Sequence, residues 1–154
     1  MSRITFKSLV LGFIAGALAA VTVHELINLA LLKGGIEFSR QPWSMELVPI
    51  RFGASAVEVP RIVTDALWGG LWGVIFSVIL GSVPKGSMTL KGILLGVLVP
   101  GLIGAFFLIP IIRGEDIFLG GNLNTIGSWL LIYAGFGAAT AWIYGFLTSG
   151  CRLP

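Results

Sequence analysis

His24, Glu25 and Asn28 are the residues of this 154-residue chain whose types and spacing could do chemistry. They follow an uncharged run from Ser8 to Val23. At ~1.5 Å rise per residue, Glu25 lies roughly 25 Å along a helix from the basic N-terminal end, short of the far side of a ~30 Å hydrocarbon layer. His24 and Asn28 are four apart on one helix face, and Glu25 is three from Asn28. An acidic charge inside a span costs at least ~2.5 kcal/mol. The carboxylate therefore needs partners, a neutral form, or a function that requires its charge. Histidine is the side chain that titrates near neutral pH. The chemistry implied is a proton- or solute-responsive site opening outward. Partners are expected from the same depth: Arg61 and Asp65, one turn apart, then Arg113, Asn122 and Asn124. A structural reading of the same residues carries equal weight, because polar side chains also tie spans together.

The elements that must position this cluster are four long apolar segments, about 9–32, 66–83, 92–112 and 126–148. Hydrophobic residues make up 56% of the chain and charged residues 11%, and the mean hydropathy is +0.97. Soluble domains carry about 25% charged residues, so the chain lacks the polar groups to cover a water-facing surface. Each segment meets or approaches the ~20 residues a spanning helix needs. Lipid cannot satisfy backbone polar groups, which leaves helices or a closed barrel, and the alternation of barrel strands is absent. The expected fold is all-α, a four-helix transmembrane bundle forming one integral membrane domain over 1–154. The net charge of +3 comes from isolated Lys and Arg flanking the spans, which points to no nucleic-acid partner. The lone Cys151 and lone His24 exclude an intramolecular disulfide and a multi-histidine or cysteine metal site. Neither a zinc-protease helix motif, a nucleophile elbow, a phosphate loop nor a dinucleotide fingerprint occurs. No cofactor, no metal and no enzymatic activity are expected.

All seven acids fall on one side of the predicted membrane or just within it. Arg3, Lys7, Lys85, Lys91 and Arg152 occupy the other side without an acid. Lys and Arg counts are tied between the sides, but the positive-inside rule weights short segments next to the spans. That places both termini in the cytoplasm of a bacterial inner (plasma) membrane. Ala17-Leu18-Ala19 fits a small-x-small cleavage pattern, but apolar character continues to Leu32, so the segment reads as a retained first span; cleavage would leave three. The loop 33–65 then faces outward. Pro42, Pro49 and Pro60 rule out one continuous helix. Its apolar residues suit a segment lying on the membrane interface, with Trp43 as anchor.

Each span carries small residues at four-residue intervals: Gly12 and Gly16; Gly69 and Gly73; Gly92 and Gly96; Gly137, Ala141 and Gly145. Such stripes let helix backbones approach closely, which predicts a compact bundle with one stripe left for a partner. Pro100 and Pro110 should bend the third span. Residues 12–35 and 92–114 share early glycine spacing and a glycine end, a faint repeat that reads as two helical hairpins in tandem.

The run Ala66-Leu67-Trp68-Gly69-Gly70-Leu71-Trp72-Gly73 after Val59-Pro60, the His24 end of the first span, Ile109-Pro110-Ile111-Ile112-Arg113-Gly114 and Gly135-Phe136-Gly137 resemble an uncharacterised family of small four-helix bacterial inner-membrane proteins. The family often has Gln after the histidine, where this chain has Glu25. Residues 12–32 also resemble the YagU-type inner-membrane proteins associated with acid resistance. The resemblance implies a four-span membrane protein of this size. The function expected is a non-enzymatic accessory or assembly subunit, or a homo-oligomer, whose partners are the lipid bilayer and a membrane protein. The alternative is a small proton- or solute-linked transporter or channel using His24, Glu25 and Asn28.

Overall fold

The computed structural model describes residues 5–36, 41–52, 55–82, 87–108, 110–111 and 116–149. Arg113, one of the expected partners, lies outside the described residues, as do Lys85, Glu115 and Cys151. The chain is mostly helical (81%) and forms a four-helix bundle. Four helices are long and apolar enough to cross a membrane: Phe6–Lys33, Arg61–Leu80, Met88–Leu108 and Leu123–Thr148. We call them the first to fourth spans. The second begins five residues earlier than its apolar run, so Arg61 and Asp65 belong to its first turns.

Side chains cap three of the span starts. Thr5 and Ser8 form a reciprocal capping box, Ser8 N–H donating to Thr5 Oγ1 at 3.2 Å and Thr5 N–H to Ser8 Oγ at 3.0 Å. Ser87 Oγ accepts from Leu90 N–H, opening the third span. Asn122 Oδ1 accepts from the N–H groups of Asn124 and Thr125 at 3.1 and 3.2 Å. Asn122 is thus a cap of the fourth span.

The glycine stripes are consumed inside the bundle. A β-carbon at Gly12 would lie 2.6 Å from the Gly73 carbonyl oxygen and from Ser77 Cβ, and one at Gly16 would collide with the Gly69 carbonyl. Gly92 meets Gly137 and Ala141 in the same way, and Gly96 meets the Tyr133 carbonyl and Gly137. Gly145 is looser, 3.3 Å from the Met88 methyl. The first span therefore seats on the second, and the third on the fourth, backbone against backbone. The first and fourth spans join the two pairs, and the second and third meet little. Phe76 and Phe136 cross edge to face at 6.1 Å in the middle, both buried. Ile14, Leu18, Leu71, Leu98 and Trp142 point outward, as a lipid-facing surface requires. The two pairs use matching contacts, Gly16 on Gly73 and Gly96 on Gly137.

Two features depart from a plain α-helical reading. The first span widens to a π-helix over Ala20–His24 and the third over Val97–Leu108. Pro100 sits inside the latter, where its missing N–H removes an α-helical bond. The loop between the first and second spans also contains a two-stranded antiparallel hairpin, Leu47–Phe52 with Ser55–Pro60, in the register Ile50 opposite Val57. Pro49 is tolerated there because both strands of a two-stranded sheet are edges.

Overfilling the glycine contacts should unfold the monomer rather than split a complex. Gly16→Leu and Gly96→Leu should each destabilise the bundle by at least about 1–3 kcal/mol, the cost of overpacking, because backbone atoms block the added side chain. Gly127→Leu should be neutral, since nothing lies within 4 Å of its β-position. Thermal unfolding of the three variants in one detergent checks this. Equal melting temperatures would refute the contact.

Candidate functional site

The π turn explains which member of the polar cluster faces inward. Gly12, Ala15, Gly16, Ala19 and Ala20 form the buried edge of the first span. A regular α-helix would continue that edge through Val23 and His24. The wider turn over Ala20–His24 shifts the phase, and the next buried residues are Glu25 and Asn28. Glu25 is 1% exposed. His24, expected to share the leading face with Asn28, lies at the margin and turns its ring edge toward Tyr133 at 6.4 Å. Tyr133 is in turn stacked on Trp129.

Polar groups converge on the Glu25 carboxylate from its own helix and from the loop that follows it. His24 Nδ1 is 2.9 Å from Oε1, and Asn28 Nδ2 donates to the same oxygen at 3.5 Å. With the carboxylate ionised, Nδ1 carries the ring proton and donates. Oε2 accepts the backbone N–H of Trp43 at 2.9 Å. The Trp43 indole N–H donates to the Val21 carbonyl at 2.8 Å, within the π turn. Trp43 holds φ at 50°, a left-handed conformation that a bulky residue adopts only when its surroundings compel it. Its two hydrogen bonds to the first span supply that compulsion.

The loop is held at its other end by the second span. Ser44 and Glu46 offer their carbonyls to the N–H groups of Ile62 and Arg61 at 3.2 and 2.9 Å. These are among the N–H groups a helix start leaves without an internal partner. Arg61 pairs with Glu46 at 3.1 Å on the exposed surface, a second link between the loop and the start of the second span. Asp65 is half-buried one turn further in. Residues 43–46 thus form a strap from the buried carboxylate to the start of the second span. His24, Glu25 and Asn28 come together as the spacing suggests. Trp43, read from sequence only as an interface anchor, is the site residue that sequence reasoning missed. Its role depends on a positive φ and on a contact eighteen residues away, and neither leaves a local sequence signal.

As a metal site the cluster supplies one imidazole and one carboxylate. Among the described residues no group of three His, Cys, Asp or Glu could hold an ion. What the arrangement can do is share a proton between His24 and Glu25, and fix an external segment through a buried charge. Glu25→Ala should raise amide hydrogen exchange over residues 43–46 and at Arg61 and Ile62 together, because each buried donor left unsatisfied costs ~1–3 kcal/mol. Exchange in the fourth span should not change. Protection of residues 43–46 at the original level in that variant would show that the strap does not depend on the carboxylate.

Compared with family models, curated proteins and solved structures, the chain matches none.

Proposed function

We propose that this is a non-enzymatic, multi-pass protein of the bacterial inner (plasma) membrane that acts as an accessory or assembly subunit or as a homo-oligomer. Both termini face the cytoplasm, and the strap and hairpin face outward at the interface. One observation carries the reading: the buried Glu25 carboxylate accepts the Trp43 N–H. The intramembrane polar group is used to fix an outer element rather than left open to a ligand. The hairpin beyond the strap is short, and a two-stranded hairpin is marginal alone. Pinned at its base, it presents Leu47 and Val57, which are 57% and 52% exposed, beside Met45 of the strap at 69%. The matching glycine contacts of the two helix pairs support the tandem-hairpin reading, in which only the first hairpin carries the polar cluster. The likeness to small four-helix bacterial membrane proteins points the same way.

The expected partner contact is made by the hairpin and not by the glycine stripes, which are filled within the monomer. Protein taken from its native membrane in mild detergent should run as a particle heavier than one chain. Leu47→Asp combined with Val57→Asp should reduce it to a monomer without lowering the melting temperature of the bundle. A wild-type particle of single-chain mass would remove this reading.

A second reading rests on the 2.9 Å His24–Glu25 pair, which can share a proton inside a span. It makes the protein a small proton- or solute-linked transporter or channel. It requires Glu25→Gln to abolish a pH-dependent flux in proteoliposomes while the fold persists. Undiminished flux in that variant ends it.

A further inference from the structure

The end of the bundle where the first span begins and the fourth ends contains an apolar crevice between the second and third spans. Ile79, Leu80, Lys91, Leu94 and Leu95 line it, and its volume is about 150 Å³. Away from this end the second and third spans touch through Trp72 and Gly104. Leu94 is 53% exposed on the lipid-facing surface, so the crevice opens sideways into the membrane. Apart from Lys91 its lining is apolar, which suits hydrocarbon rather than water. Its one charged residue is Lys91, one turn past the Ser87 cap, at the level where a lysine extends its ammonium into the headgroup region.

We infer that this crevice seats an anionic phospholipid, one acyl chain between Leu80 and Leu94 and its phosphate on the Lys91 ammonium. Two arguments favour that occupant. A crevice open to the bilayer meets lipid before anything else, and basic pockets between spans are sites for anionic headgroups. The charge at this end is also one-sided. Lys7 and Lys91 lie there, whereas the acids among the described residues, Glu25, Glu46, Glu58, Asp65 and Asp116, all lie at the opposite end or on the outer loop. An ammonium has three donors, so Lys91 can hold a phosphate while keeping another contact. The inference does not depend on the subunit reading or on which side of the cell membrane this end faces.

The test uses delipidated full-length protein titrated with phosphatidylglycerol or phosphatidylcholine and read by native mass spectrometry. Wild-type protein should retain one phosphatidylglycerol in preference to phosphatidylcholine. Lys91→Gln should weaken phosphatidylglycerol about fivefold, the contribution of one basic group near an anionic surface, and leave phosphatidylcholine unchanged. Leu94→Trp should fill the crevice and weaken both lipids. Lys7→Gln, outside the crevice, should match wild type. Both lining positions are partly exposed, and unchanged melting temperatures confirm that the variants fold. Equal affinity for the two lipids would overturn the proposal. So would a Lys91→Gln effect no larger than that of Lys7→Gln. Loss on Lys91→Gln with none on Leu94→Trp would place binding on the surface charge alone and reject the crevice.

Discussion

Helix pairs that meet with no side chain between them are the constraint on which the rest of this structure depends. In lipid, apolar side chains gain little by leaving one hydrocarbon environment for another, so association rests on close packing. Gly12 and Gly16 against Gly69 and Gly73, and Gly92 and Gly96 against Gly137, bring backbone carbonyls into contact with the facing helix. That closeness fixes the depth and rotation of each span to within a fraction of a helical turn. The large residues then have one place to go. Phe76 and Phe136 fill the joint between pairs, and Leu18, Leu71 and Trp142 face lipid. With the glycines engaged internally, larger assemblies must use another surface.

The same register explains the polar site. The first span must keep its small edge on the second span up to Ala20, where the β-carbon approaches Gly69. Beyond that point the helix is released into a π turn, and the extra residue carries Glu25 into the buried position. A carboxylate without water must be met by donors. His24 and Asn28 come from the same helix, and Trp43 brings a backbone N–H from the loop. π-Bulges occur often at functional sites, and this one determines which side chain is buried.

The large features were legible in the sequence because they follow from composition and spacing. Four apolar runs became four helices, and the glycine intervals became the contacts they suggest. His24, Glu25 and Asn28 were visible because charge is rare in a span. Which of them is buried was not legible, since helical periodicity assumes a uniform turn and the π segment breaks it. The prolines of the outer loop excluded a long helix but concealed the hairpin, because Val48-Pro49-Ile50 lacks the clean alternation of a strand. Arg61 looked like a partner for Glu25 by depth alone. Its pairing with Glu46 in the loop is not encoded in spacing. Trp43 adopts a backbone conformation that only tertiary contacts can enforce.

The way Glu25 is held also constrains any exchange at this site. Oε1 is engaged by His24 and Asn28, and Oε2 by Trp43. A proton or solute entering from the loop side must displace the strap, and the strap carbonyls of Ser44 and Glu46 also satisfy the first N–H groups of the second span. Displacement would therefore break the indole bond to Val21, the amide bond to Glu25 and the two bonds at the helix start as one unit. With each bond contributing about 1 kcal/mol net, the open form would be populated at well under one part in a hundred unless a ligand favoured it. Opening of the cluster is thereby linked to fraying of the second span and to release of the hairpin. An event at the buried carboxylate is transmitted to the hairpin, and a partner that grips the hairpin would in turn hold the carboxylate closed.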